Sequence, residues 1–408
     1  MSSLETFDVA IVGGGVVGTA TAFYLLEARP GLRVALLEQD HIGAGSTSRS
    51  FAAYRKQFRS KAHIQASVVS QREFERFEAL TGHSCGLRKI GYLFLYRDPD
   101  ELEKASLPVA RQRELGAPDA CVLTGAEVAA KFPFVDRPVA GATWCPSDGY
   151  LDPLSVASGY VEAAKARGLT VLAGHRVEGL ETAGGAVTGV RTNRGPVRPA
   201  QVVLATGAWM RRLAPHVPVA PVKRYIYTSP PVKSRDVSEF PMTVLDLGPY
   251  VRSESRVSLS FGFDERPIEP SSEEIAAGGA GLPDEPDYRI EPGFGTDFDG
   301  YGFEIMQRLA EVMSFFLEEE IGLADAQAGY YEVTPDHRIV LDRDPKLRGL
   351  VLAAGASGHG IMHGPAYGML AADLVLDRPA RLDGAREAFG LAPLLRGEKR
   401  PDPETMII

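Results

Sequence analysis

FDVAIVGGGVVGTATAFYLLEARPGLRVALLE, residues 7–38, is the stretch that decides how this chain folds. An apolar run at 9–12 leads into Gly13, Gly15 and Gly18, and a helix-like stretch then continues to residue 26. A second apolar strand over 34–37 ends on Glu38, 20 residues beyond Gly18. Strand, Gly-x-Gly-x-x-Gly turn, helix, strand and acid together make a dinucleotide-binding βαβ unit. Gly13 allows the tight turn, Gly15 lets a pyrophosphate reach the backbone, and Gly18 lets helix and strand pack closely. The helix start at Val16 and Val17 turns free N–H groups and the positive end of the helix dipole toward the phosphates. Glu38, followed by Gln39, can accept hydrogen bonds from a ribose diol. The triplet by itself does not separate FAD from NAD.

Outward from this unit, the composition narrows the class. A chain of 408 residues, 44% hydrophobic, can bury a large core in one large or two interleaved domains. A net charge of −9 argues against nucleic acid as the main partner, because binding a phosphate backbone needs a basic surface. Cys85, Cys121 and Cys145 show neither paired nor metal-ligand spacing, which points to a reducing compartment and to no metal site. The glycine-interrupted N-terminal run does not read as a signal peptide, and no run of about 20 apolar residues is present. A cytoplasmic location without a transmembrane segment is the expectation.

Beyond Glu38, the GAGSTSRS cluster at 43–50 reads as a loop opening a helix. Gly45, Ser46, Thr47, Arg49 and Ser50 are its candidates for a second phosphate-contacting loop; an ordinary capped loop is the plainer reading. Arg55 and Arg59 follow among aromatic residues, either solvated or turned inward toward an anionic substrate. Helical patterns span 64–80, 101–115, 124–132, 153–166 and 305–316, and strands are expected at 87–96 and 170–172. A hairpin turns at 184–185 and again near 193–195. The buried strand 202–204 runs into Thr206, Gly207 and Trp209, a small-residue turn that lets a ligand approach. Residues 215–262 look β-rich. Residues 267–302, rich in Pro, Gly and acids, read as a long loop or insertion of the kind that acts as a lid. Near the C-terminus the strand 350–354 meets a second glycine loop, Gly355 to Gly360, and a helix from about 365 to 376.

These residues resemble the D-amino-acid oxidase superfamily of FAD enzymes, which includes glycine oxidase, sarcosine oxidase and related amino-acid dehydrogenases. The resemblance runs through the fingerprint and Glu38, GAGSTSRS, KIGYLFLY, SDGYLDP, GHRVEGL, VVLATGAW, GYYEVTPDHRIV and AAGASGHGIMHGPAYGMLAADLVL. Thr-Pro-Asp followed some twenty residues later by Ser-Gly-His-Gly is its most specific part. It implies an α/β fold in which a doubly wound FAD-binding domain (1–84, 146–214 and 329–385) interleaves with an antiparallel-sheet substrate-binding domain (85–145 and 215–328). Residues 386–408 are left as a tail. It also implies roles by position: Val177 at the adenine, Gly207 and Trp209 at the strand-end contact, and Gly358, His359, Gly360 and Ile361 under the flavin's pyrimidine ring. Backbone N–H groups at a helix start there stabilise the negative charge of a reduced flavin.

The implied activity is oxidation of the C–N bond of a small amino acid or of a secondary or N-methylated amine, with hydride passing to flavin N5. A carboxylate substrate needs a buried cation with hydroxyl support. Arg55 and Arg252 are the candidates, with Tyr250 and Tyr331 as hydroxyl partners. His359 either polarises flavin or substrate, or caps a helix; His363 reads as structural. Three departures shape the rest. Met362 stands where related sarcosine oxidases place an oxygen-activating lysine, which favours a dehydrogenase using a redox partner over an oxidase using O2. Gly329 stands at the flavin-attaching cysteine, and no His lies between residues 42 and 62, so FAD is expected to bind non-covalently. The glycine-oxidase arginine that grips the carboxylate falls near Tyr331. An NAD(P)-linked oxidoreductase would need a second nucleotide fingerprint, which the chain lacks. A non-catalytic FAD-binding assembly or electron-transfer subunit is the other competing reading.

Overall fold

A computed structural model of the chain describes residues 6–263, 274–275, 287–297, 300–318, 321–402 and 404. Strand β1 (Thr6–Val12), helix α1 (Val16–Ala28) and strand β2 (Val34–Glu38) form the expected βαβ unit. β1 and β2 pair in parallel, Val9 opposite Val34 and Val12 opposite Leu37. On its other side β1 pairs in parallel with the Gly195–Leu204 strand, which pairs in parallel with Leu350–Ala354. β2 carries Thr170–Ala173 in parallel at its outer side, and Val340–Arg343 closes the opposite edge antiparallel to Leu350–Ala354. Both faces of this sheet are covered, which explains why β1 and β2 read as continuous apolar runs rather than alternating ones. Helix α1 is buried on nearly every side and packs against the Gly360–Val375 helix, where Ala20 meets Gly368. The two helices that follow the two glycine loops therefore lie side by side.

Among the described residues a second sheet contains eight strands, in the order Asp325–Val333, Ala220–Thr228, Leu259–Gly262, Tyr250–Ser253, Met242–Leu245, Tyr92–Tyr96, Gly141–Cys145 and Cys121–Thr124. It is antiparallel except where Met242–Leu245 runs parallel to Tyr92–Tyr96. Helices Tyr301–Ala310 and Phe315–Glu318 pack on it around Tyr225, Tyr227 and Phe261. The boundary expected at 329 falls inside the Asp325–Val333 strand, because the pairing of Arg224 with Gly329 keeps that whole strand in the second sheet.

Several elements differ in detail from their expected spans. The helix expected over 64–80 is two, Lys61–Glu75 and Phe77–Thr81, and that over 101–115 divides at Pro108 into Pro99–Ser106 and Val109–Glu114. Proline withholds the N–H an uninterrupted helix would use there. The strand expected over 87–96 begins only at Tyr92, with Arg88 making an isolated bridge to Tyr150. Of the insertion expected at 267–302, residues 274–275, 287–297 and 300–302 are described; the remainder lies outside the described residues.

The last residues are more than a tail. Arg400 donates through Nε to Asp336 Oδ2 at 2.7 Å and through Nη1 to Ile339 O at 2.8 Å, while Arg338 donates to Asp336 at 2.9 Å and to Pro401 O at 2.6 Å. Both arginines are buried. The Thr-Pro-Asp turn, which joins the two sheets, is thus locked by the end of the chain. Glu404 also returns, accepting from the backbone N–H of Ser60 at 3.0 Å.

Candidate functional site

The two glycine loops open onto one cavity. At its first end Gly13 donates its N–H to Leu37 O at 2.9 Å, with φ at +109°, and a Cβ there would fall 2.2 Å from Ala205 O. No side chain fits in that conformation or that space. Glu38 is held at both carboxylate oxygens: Oε2 accepts from Gly14 N at 2.7 Å and Oε1 from Asp40 N at 2.9 Å. The second loop docks beside the α1 start, where Val16 N donates to Thr47 Oγ1 at 3.1 Å. Ser46, expected to offer its hydroxyl to phosphate, instead donates it to Tyr330 O at 2.6 Å. Arg49 folds back on its own loop, donating to Ala44 O and to Gly45 O.

At the second end, Ser357 and Gly358 adopt φ of +49° and +80°, turning the chain into the Gly360–Val375 helix. A Cβ on Gly358 would lie 2.6 Å from the Tyr331 ring, so only glycine lets that ring lie against the loop. Gly360 and Ile361 line the cavity, but the His359 side chain points behind the wall. Its ring packs against Phe58, centroids 5.2 Å apart, and near His63 and His363. Burial, reinforced by the nearby Arg55 guanidinium, holds its imidazole well below the usual value, so the ring is neutral.

Between the ends lie Gly13, Gly15, Val16, Val17, Glu38, Gln39, Gly45, Ser46, Thr47, Arg49 and Ser50 on one wall, with Val177, Thr206, Gly207 and Trp209 around them. Gly18 and Gly355 support this wall from behind: a Cβ on the first would meet Gly13 O at 2.0 Å and on the second Thr334 at 2.1 Å.

The substrate side departs from expectation. Tyr250 and Tyr331 line the cavity, whereas Arg55 and Arg252 do not. Arg55 is buried, its guanidinium 4.4 Å from the Phe58 ring. Arg252 donates through Nε to Phe51 O at 2.7 Å and pairs with Glu254 at 2.9 Å, so it holds the wall rather than forming it. Arg49, Arg176 and Arg212 also line the cavity, but the buried cation among the described residues that face it is Arg224, with its guanidinium 5.3 Å from the Tyr331 ring centre. It projects from the Ala220–Thr228 strand on the same face as Ile226, beside Phe51, whose ring meets Tyr250 edge-on at 4.7 Å. Alternation along KRYIY was the available signal, but both faces of that strand are buried, which hides the periodicity.

Glu332 was also missed. Its Oε1 accepts from Ala356 N at 3.2 Å, and Oε2 has no hydrogen-bond partner although that oxygen is buried. Burial pushes the carboxyl up to about 7, against the pull of the Ala356 and Gly355 N–H groups. The residue keeps some surface toward the cavity, but the enclosed oxygen atoms decide where the charge is tolerated.

A cavity with a helix N-terminus and the strand-end carboxylate of Glu38 at one end, a backbone N–H loop at the other and the unsatisfied Tyr288 hydroxyl and Glu332 Oε2 on its lining residues fits FAD. The comparisons with known proteins agree. The family model described as FAD dependent oxidoreductase matches residues 8–374. FAD-dependent oxidoreductase domain-containing protein 1 of Bos taurus is 28% identical over 441 residues, covering 96% of this chain and 84% of that protein. Glycine oxidase of Geobacillus kaustophilus is 26% identical, covering 95% of this chain and 96% of the enzyme. The crystal structure of L-proline dehydrogenase from P. horikoshii superposes with a TM-score of 0.83 at 25% identity, covering 97% of this chain and 100% of that one. The resemblance drawn from the motifs and the expected fold class are both borne out.

Proposed function

The chain belongs to the FAD-dependent oxidoreductase family, and on that premise we propose that it oxidises the C–N bond of a small amino acid or secondary amine. One arrangement supports this reading: the cavity wall that carries the Gly358 loop continues into Arg224, Tyr331 and Tyr250, so an anion-binding pocket adjoins the place of the flavin ring. FAD supplies the hydride acceptor. The protein's own part is to bind, orient and exclude water. The Arg224 fork takes a substrate carboxylate, with the Tyr331 and Tyr250 hydroxyls beside it. Phe51 and Ile226 give the substrate carbon an apolar bed. The amine binds neutral, and the product imine is hydrolysed by water after release.

FAD is held without a covalent bond in this reading, since the residue at the attachment position is Gly329, packed against Arg49. Met362 is buried in the core, which leaves no lysine there to favour O2 as the acceptor. That supports a dehydrogenase. Among the described residues no helix is long and apolar enough to cross a membrane.

The test is anaerobic bleaching of the purified flavoprotein against a panel of amino acids, N-methyl amino acids, proline and the corresponding decarboxylated amines. Bleaching by carboxylate-bearing amines and not by their decarboxylated analogues is expected. A flavin that no member reduces would end the enzymatic reading, and equal bleaching by both sets would remove the anion pocket.

A further inference from the structure

Tyr288 belongs to the stretch of the chain that the motif resemblance does not cover, yet it lines the same cavity as the glycine turn. Its ring sits over the Arg49 guanidinium at 4.0 Å, with Trp209 at 6.1 Å and Tyr330 at 5.5 Å between ring centroids. A Cβ built on Gly45 would lie 3.8 Å from the Tyr288 hydroxyl, so that oxygen stands directly over the second phosphate loop. The hydroxyl oxygen is buried and has no hydrogen-bond partner among the described residues. A buried donor left unsatisfied is unfavourable, which argues that something else fills the role.

The segment that carries Tyr288 is pinned on both sides of it. Tyr330 Oη accepts from Asp287 N at 2.8 Å and approaches Asp287 O at 3.0 Å. Lys223 Nζ donates to Arg289 O at 2.9 Å and pairs with Glu291 at 3.0 Å. Tyr288 is therefore aimed by its neighbours rather than draped over the opening. Burial pushes its phenol up to about 12 while Arg49 pulls the other way, so it stays protonated and able to donate at any working pH. Of the hydroxyls of the phosphate loop, Ser46 donates to Tyr330 O and Ser48 to Gly45 O, while Thr47 and Ser50 accept from Val16 N and Ala52 N and keep their own protons.

We propose that Tyr288 is a cofactor-binding residue, a strap across the FAD diphosphate whose hydroxyl donates to a phosphate oxygen while its ring stacks on Arg49. This rests on the diphosphate lying at the Gly13–Gly15 turn beside Glu38. It also assigns a task to part of the insertion: residues 287–291 close the adenosine-diphosphate half of the cavity and leave the Arg224 half to the substrate.

The experiment is titration of the flavin-depleted full chain with FAD, followed by fluorescence quenching, and with ADP by competition. Tyr288→Phe keeps the ring over Arg49 and removes only the hydroxyl. It should raise the Kd of FAD and of ADP by the same factor, about tenfold, the size of one hydrogen bond to a charged acceptor. Tyr288→Leu should raise both further. Glu38→Gln is the control for the underlying placement and should weaken FAD whether or not Tyr288 takes part. If Tyr288→Phe binds FAD as wild type does while Glu38→Gln is weakened, the strap is overturned and the placement stands. If neither variant is weakened, the placement itself is wrong. A Phe variant weakened for FAD but not for ADP would move the hydroxyl to the flavin half and equally overturn the proposal.

Discussion

Replacing Glu332 by Gln isolates one buried carboxyl. The amide preserves the acceptor for Ala356 N and nearly the same volume, and removes the titration. In the native protein the carboxyl holds its proton up to about 7, against an ordinary value of 4.5. Below 4.5 it is protonated in both folded and unfolded chains and contributes no difference. Between 4.5 and about 7 the unfolded chain gives up its proton and the native one keeps it. The native state then binds more protons, so stability falls as pH rises, and above 7 the loss is complete. A gap of this size corresponds to about 3 kcal/mol at high pH, of which about 2–3 kcal/mol accrues between pH 5 and pH 8. The Gln variant carries no such loss. Urea unfolding of flavin-free protein at a series of pH values, free of ligand linkage, should therefore show the variant gaining on wild type by that amount across the window. Parallel curves for the two proteins would refute the enclosure of this carboxyl.

Three further outcomes are expected. Arg224→Met removes the buried cation from the substrate side and should lower kcat/KM for a carboxylate substrate by about 2–5 kcal/mol, more than thirtyfold, with FAD affinity unchanged; steady-state kinetics beside the flavin titration check both halves. Gly358→Ala forces a side chain into a left-handed backbone, which costs about 1–2 kcal/mol, and into the Tyr331 ring. The visible flavin spectrum should shift and substrate KM rise; an unchanged spectrum and KM would contradict the packing of Tyr331 on the loop. Arg400→Met leaves Asp336 with one buried partner instead of two, and should cost about 3–5 kcal/mol in urea unfolding. A truncation ending at 385 should be at least as destabilised, since it removes the same contact.

Residues 7–38 were sufficient for the βαβ unit and its glycine turn, because a tight turn, a close backbone approach and an acid at a strand end are local demands. They fall on residues adjacent in the chain, and Gly13, Gly15, Gly18 and Glu38 answer each within one βαβ unit. The second glycine loop was legible for the same reason. Arg55 and Arg252 were the natural arginines to choose, being basic residues among aromatic ones, but whether a guanidinium enters a cavity is a matter of sheet register. Arg224 enters because its strand pairs Arg224 with Gly329 and so turns that face inward. Glu332 and Tyr288 are ordinary residues until the Gly355–Gly358 loop and the 287–297 segment close over them. Arg400 waits on Asp336, 64 residues earlier in the chain. The sequence alone thus determined the FAD-dependent family and the two glycine loops of the cavity site, each encoded within one or two turns of chain. Only the tertiary structure decided which cation, which acid and which phenol face that site, because those contacts join strands and segments that no local pattern relates.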